Sequence, residues 1–375
     1  MINQDYRILD IIQKKILSTG PISLSDYMKV CLTHPEHGYY IRNKPIGSTG
    51  DFITSPEISQ MFGELIGLWI GQIWLDHKKP PNFSLIELGP GNGTLIKDIL
   101  RSTKMIKGFH DALHLILIEI SPTLSQTQKK ALGSFRAHWQ TEIGSFPEQP
   151  TVIIANEFFD SLPIRQFKRE RNRWMEVMIT IKDPSNKMFN KLSFGLRDVS
   201  MNNEFASETD NIPDGTIIEF SELTQSITNY ISDHIKKNTG AALIIDYGKE
   251  GNVGDTFQAV RQHQYSNPLK YPGLTDLTSY VDFNAIRNSA ERSGLIASKL
   301  SYQADFLKNL GIEQRAKMLS QKLPYRQLRL HQAALKRLIH HDEMGHLFKV
   351  LGLRSPTSPP LIGCLLYTSP SPRDS

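Results

Sequence analysis

The chain has 375 residues, 39 % hydrophobic and 22 % charged, the make-up of a globular protein large enough for one domain with insertions or for two. A net charge of +5, spread along the chain, is too weak for a nucleic-acid coat, and two cysteines, Cys31 and Cys364, exclude a disulfide framework and a cysteine-built zinc site. The opening residues mix Asp5 and Asp10 with Ile, Leu and Lys. They match neither a secretory signal nor an Arg-rich transit peptide, and the most apolar stretch, residues 65–75, is too short to span a bilayer.

In chain order, Ile8, Ile11, Ile12 and Ile16 predict an amphipathic opening helix that Gly20-Pro21 ends, and Ser23 or Ser25 is placed to cap a second helix over residues 26–32. Two turn-rich loops, 34–40 and 50–57, precede an apolar helix over 59–76. The pattern then changes to alternating strands and helices. Strands are expected at 84–88, 113–120, 151–155 and 241–246, with helices after the first and second. Nearly continuous apolar strands of this kind are buried on both faces and imply a parallel sheet with right-handed crossovers. Residues 166–194 break the alternation. Residues 174–181 and 191–195 flank the polar turn Asp183-Pro184-Ser185-Asn186 and read as an inserted antiparallel hairpin. Residues 217–220 are extended. Helices are expected over 223–237, 282–293, 306–319 and 328–341, with a closing strand at 346–353.

The strongest motif is Glu87-Leu88-Gly89-Pro90-Gly91-Asn92-Gly93-Thr94, at the end of a strand and the start of a helix. Glycines let the backbone turn tightly and approach a ligand, and the helix N-terminus offers free N–H groups. Thr94 stands where a dinucleotide fingerprint needs its third Gly or Ala, and no Lys follows Gly93 as a P-loop requires. The acidic-x-Gly-x-Gly-x-Gly spacing resembles the first motif of class I methyltransferases, whose loop wraps the methionine part of S-adenosyl-L-methionine. Glu87, Gly89, Gly91 and Gly93 are therefore candidate cofactor residues. Glu119, at the end of the next strand, is a candidate acceptor for ribose hydroxyls.

Ligands of doubly wound sheets sit beyond the carboxyl ends of the strands. After the third strand comes Asn156-Glu157-Phe158-Phe159-Asp160. Many amino-methyltransferases carry Asp/Asn-Pro-Pro-aromatic there, so Glu157 and Phe158 depart from that pattern. Carboxylates at this point suit a guanidinium acceptor, since they can grip two nitrogens while the third attacks. Glu157 is the first catalytic candidate, with Asp160 and Asn156 beside it; Asp160 can equally cap the next helix. Asp246, after the fourth strand, can line the site or make a turn. No histidine pair has metal-ligand spacing, and no metal site is expected.

Across these and further blocks the chain resembles the MidA-like family of class I methyltransferases. The blocks include 34–40, 50–64, 87–95, Glu119-Ile120-Ser121-Pro122, 155–167, Ile245-Asp246-Tyr247-Gly248, 254–259, 278–283 and 344–350. The resemblance implies an α/β fold, a doubly wound, mostly parallel, Rossmann-like sheet with an N-terminal helical lid region (1–80). It implies a methyltransferase domain (81–363) with insertions at about 164–215 and 250–340. It also implies a protein-arginine N-methyltransferase acting on a respiratory complex I subunit, with symmetric dimethylarginine as one product and residues 50–57 covering the cofactor. The alternatives are a small-molecule methyltransferase and a cofactor-binding assembly factor without turnover. A bacterial cytoplasmic location is expected, with the mitochondrial matrix as the alternative. No nucleic-acid partner is expected; a homo-oligomer is compatible with the apolar 65–75 helix. Residues 364–375 resemble translated sequencing-adapter read-through or a disordered tail, and carry no expectation about the fold.

Overall fold

The structure is a computed structural model that describes residues 7–42, 47, 50–182, 191–199, 212–321 and 323–364. The strands are β1 (Ile22–Ser23), β2 (Phe83–Leu88), β3 (Leu113–Ile118), β4 (Ala137–Gln140), β5 (Thr151–Asn156), β6 (Arg165–Glu170), β7 (Arg173–Ile181), β8 (Leu192–Asp198), β9 (Ile217–Phe220), β10 (Gly240–Lys249), β11 (Gln258–Arg261), β12 (Gln264–Ser266), β13 (Asp276–Thr278), β14 (Val281–Asp282), β15 (Ile296–Ala297), β16 (Ser301–Tyr302) and β17 (Phe348–Arg354). The central sheet runs β15-β17-β10-β5-β2-β3-β4, with β14 on β10 and β16 on β17. β4, β3, β2, β5 and β10 are mutually parallel, and β17 runs antiparallel to β10. The mixed α/β, mostly parallel sheet is as expected. Every residue of β2 and β5 is buried, which explains why their sequences show no alternation.

The chain leaves β2 toward β3 and β4, then returns to β5 and β10 on the other side. The strand order therefore reverses at β2, and a crevice opens at the carboxyl ends of β2, β3 and β5. One core layer joins the helix Gln60–Asp76 to the helix Thr94–Thr103 and to Leu85, Leu115, Ile154 and Leu243 of the sheet. The opposite layer packs Ile86, Ile116 and Ile153 against Ile227 and Ile231 of the helix Glu222–Asn238. The helix Gln60–Asp76, read from sequence as part of the N-terminal region, thus belongs to the main core.

The expected hairpin is present as β7 and β8, but it is part of a larger antiparallel sheet. β1 and β6 pair with β7, and β9 pairs with β6. The turn 183–186 lies outside the described residues. β4 and the small sheet β12-β11-β13 have no counterpart in the sequence reading, because strands of only three or four residues carry little periodicity. The helix expected over 306–319 is two helices, Gln303–Asn309 and Ile312–Ser320. Gly311 at φ +90° breaks it. Cys364 packs half-buried against the core, and the remainder of the expected tail lies outside the described residues. No helix among them is long and apolar enough to cross a membrane.

Glu176 on β7 is fully buried and paired with Arg165 and Arg197, while Arg165 also reaches Glu222 at the start of the helix Glu222–Asn238. Burial pushes the Glu176 carboxyl up, but the two guanidiniums outweigh it and hold the group below its ordinary 4.5. A depressed folded pKa gives stability that is fully present above the unfolded value and lost as pH falls through the folded one. Because both arginines are partly exposed, Glu176→Gln is expected to cost about 1–3 kcal/mol at pH 7. The difference from wild type should shrink below pH 4.5. Urea unfolding at pH 7 and at acid pH checks this; an equal difference at both would refute it.

Candidate functional site

Beyond the carboxyl ends of β2, β3 and β5 lies a cleft of about 820 Å³. Its floor is the glycine loop. Gly89, Gly91 and Gly93 have φ of +63°, +54° and +77°, a region open to glycine and strained for other residues. Gly89 and Gly91 line the cleft. Gly93 does not; it caps the helix Thr94–Thr103, and a Cβ on it would come within 3.3 Å of Gln128. A Cβ on Gly89 would lie 3.0 Å from the Phe158 ring.

Glu87 is 3 % exposed and lines the cleft with one carboxylate oxygen, Oε2, that has no hydrogen-bond partner. Burial and the neighbouring Glu119 charge push its carboxyl up to about 8. Glu119 follows β3 directly. Its Oε1 accepts the Ser121 N–H at 2.8 Å and its Oε2 accepts Gln128 Nε2–H at 3.0 Å. Burial raises this carboxyl to about 7 against those donors. Gln128, fully buried, also donates to the Gly91 carbonyl at 2.8 Å and accepts from the Trp139 indole. It clamps the glycine loop to Glu119. The sequence reading missed it, since a glutamine in a polar helix carries no signal of its own.

After β5 the chain turns sharply. Glu157 has φ +53°, a left-handed conformation that aims its side chain into the cleft, where Asn156 and Phe158 also line the wall. Glu157 Oε1 accepts from the Ser55 N–H at 2.8 Å and from Asn156 Nδ2–H at 3.2 Å. Asn156 Oδ1 has no partner. Burial pushes the Glu157 carboxyl up to about 7, the nearby Asp160 charge adds to that, and Ser55 and Asn156 oppose it.

Asp246 settles as a turn maker. Its Oδ2 accepts the N–H groups of Phe158, Phe159 and Asp160, and its Oδ1 that of Tyr247, so it fixes the loop that presents Glu157. Asp160 is 7 % exposed and lies outside the cleft lining. Burial lifts its carboxyl to about 6, while a hydrogen bond from Tyr247 pulls the other way.

The N-terminal segment closes one side. Phe52, Thr54, Pro56 and Glu57 line the cleft, as does Tyr40, whose hydroxyl donates to Asp276. Glu57 Oε1 accepts from the Thr94 hydroxyl at 2.5 Å and from Asn92 at 3.3 Å, tying this segment to the glycine loop. The lining is electrostatically one-sided. Among the described residues it carries six glutamates, at positions 57, 87, 119, 142, 157 and 222, and one cation, Lys29. In a chain of net charge +5, that gathers acidic groups in this cleft, of which Glu87, Glu119 and Glu157 ionise only near or above neutral pH. Ligand atoms of His340, His341 and Asp342 also approach one another, on the surface away from this cleft lining.

Residues 65–300 match the family model described as "Putative S-adenosyl-L-methionine-dependent methyltransferase". Curated proteins named protein arginine methyltransferase NDUFAF7, mitochondrial, are similar over most of their length. The Danio rerio protein is 37 % identical, covering 91 % of this chain and 85 % of its own. The Homo sapiens protein is 37 % identical, covering 82 % and 74 %. The Drosophila melanogaster homolog is 34 % identical, covering 91 % and 83 %. A Burkholderia thailandensis protein crystallised with S-adenosyl-homocysteine superposes with a TM-score of 0.82 at 24 % identity, over 96 % of this chain and 94 % of that one. A native crystal structure of a protein from Burkholderia thailandensis also superposes with a TM-score of 0.82 at 24 % identity, over 99 % of this chain and 97 % of that one. At that identity the likeness is one of fold.

Proposed function

Because the chain belongs to the family of S-adenosyl-L-methionine-dependent methyltransferases whose model it matches, we propose that it transfers a methyl group to an arginine side chain of a protein. The residues fit the cofactor. Gly89 and Gly91 leave room for close approach, the partnerless buried oxygen of Glu87 suits an ammonium group, and each Glu119 oxygen keeps a lone pair for a hydroxyl. When bound, the cofactor supplies an electrophilic methyl carbon on a sulfonium.

The observation that carries the acceptor assignment is the glutamate-rich lining, with Glu157 at the carboxyl end of β5. An acidic cleft draws a guanidinium and repels a phosphodiester, which disfavours a nucleic-acid substrate. Glu157 and the open Oδ1 of Asn156 accept N–H groups and orient the attacking nitrogen. A carboxyl held near neutrality also suits Glu157 to take up the proton that the methylated guanidinium releases. Asp160, behind the wall, acts through charge on Glu157 and does not touch the acceptor. Residues 50–57 exclude water from the cofactor side. The names of the curated relatives support an arginine acceptor and favour the mitochondrion over the bacterial cytoplasm. The sequence resemblance supports a respiratory complex I subunit as the protein that carries the arginine.

The test is incubation of the purified chain with methyl-labelled cofactor and a lysate of its host lacking the gene, followed by amino-acid hydrolysis of each labelled band. Label in methylarginine of one protein is the expected result. Label confined to small molecules would overturn the protein-arginine assignment and leave methyl transfer standing. Cofactor binding without any label would favour a non-catalytic assembly factor.

A further inference from the structure

Ser55 and Gln303 are both polar and both fully buried. They join three distant parts of the chain. The Ser55 N–H donates to Glu157 Oε1 at 2.8 Å, and the Ser55 hydroxyl donates to Gln303 Oε1 at 3.3 Å. Gln303 Nε2–H in turn donates at 3.0 Å to the Leu338 carbonyl, in the last turn of the helix Tyr325–Ile339. A carbonyl can only accept, so the Gln303 amide has one orientation, with its oxygen toward Ser55. That orientation engages the single hydroxyl proton of Ser55. The same hydroxyl also stands toward Glu157, where its hydrogen bond favours the charged carboxylate, so Glu157 and Gln303 compete for one proton.

Resting on the reading of Glu157 as the group that grips the acceptor, we propose that Gln303 is a positioning residue for Glu157. It acts through Ser55, fixing where the N-terminal segment stands against β5 and drawing the Ser55 hydroxyl proton away from the Glu157 carboxylate. Two consequences follow. The Ser55 N–H is held on Glu157 in one geometry, so the carboxylate keeps its aim into the cleft. The carboxyl then has the N–H of Ser55 and the amide of Asn156 as full donors and only a share of the Ser55 hydroxyl, and burial keeps its proton near neutral pH. The titratable groups around Glu157 are Asp160 on the same turn and Asp246 at the end of β10. On the other packed elements, Glu57 is turned to Thr94, Asp305 and Lys308 are exposed, and His340 faces Asp342.

Gln303→Leu frees the Ser55 hydroxyl to donate to Glu157. The expected result is a downward shift of the Glu157 titration of about one pH unit, roughly a tenfold change in proton affinity. The readout is carbon-13 NMR of labelled glutamate in the full chain, with the Glu157 signal assigned by its loss in Glu157→Gln. Ser55→Ala removes the hydroxyl and keeps the N–H, so Gln303→Leu added to Ser55→Ala should produce no further shift. All three should still melt in one cooperative transition, Gln303→Leu at a lower temperature because the Leu338 carbonyl loses its donor, and should bind S-adenosyl-L-homocysteine with wild-type affinity by calorimetry, which separates positioning from unfolding. No shift in a folded Gln303→Leu protein, or an equal shift in the Ser55→Ala background, would overturn the proposal. The functional reading fails separately: it falls if Glu157→Gln retains methyl transfer to protein, whatever the titrations show.

Discussion

Glu157→Gln is expected to lower methyl transfer at least about a hundredfold while leaving the affinity for S-adenosyl-L-homocysteine within a few-fold of wild type. The substitution is nearly isosteric, and its amide oxygen can still accept from the Ser55 N–H, so the left-handed turn after β5 should survive. It removes a negative charge and can point an N–H₂ donor at a guanidinium that has only donors to offer. Losing one well-placed electrostatic contact in a site of this kind costs about 10²–10³ in turnover. The proposed cofactor residues Glu87, Gly91 and Glu119 lie on or just after β2 and β3 rather than after β5, and are untouched. Single-turnover transfer from labelled cofactor, paired with calorimetric binding, separates the two effects. Wild-type turnover in the variant would remove Glu157 from the chemistry. Loss of binding along with turnover would make it a structural residue. In the wild type, activity should rise with pH through about 7, as the Glu157 carboxyl ionises.

The second large effect is expected at the glycine loop. Gly89→Val places a branched side chain at φ +63° and puts its Cβ 3.0 Å from the Phe158 ring. The left-handed conformation costs an L-residue about 1–2 kcal/mol, and Phe158 or the loop must move as well. Either movement disturbs the cleft floor or the wall that carries Glu157. Cofactor affinity is expected to fall roughly a hundredfold, about 3 kcal/mol at 1.4 kcal/mol per decade, with the stabilisation by added ligand lost in thermal melting. An affinity within threefold of wild type would mean that the cofactor does not lie on Gly89.

The site was legible wherever chemistry was concentrated in a few contiguous residues. The glycine loop and Glu119 stood out because a strand, a tight turn and a helix leave a local signature. Asn156 and Glu157 stood out because the end of a buried strand in a doubly wound sheet is a predictable place for a ligand. Other participants were less legible. Gln128 and Gln303 reach the site from distant segments, each an ordinary polar residue of its own helix, while Ser55 and Glu57 were expected near the cofactor only as part of the 50–57 block that the family resemblance singled out, without their partners. Asp160 and Asp246 looked alike in sequence. The three-dimensional turn made Asp246 the acceptor of four N–H groups and put Asp160 behind the wall.

The fold divides in the same way. By itself the sequence determined the parallel strands, the crossover helices and the location of the glycine loop, because burial on both faces and a helix-opening glycine turn are local demands on residue type. Only the tertiary structure decided that the hairpin 174–195 joins β1, β6 and β9 in a second sheet, that Gly311 divides one apparent helix into two, and that the N-terminal segment reaches both the glycine loop and Glu157. Strand partners and side-chain partners across such distances are chosen by how much surface and how many polar groups the whole chain can satisfy at once, and no window of sequence contains that sum.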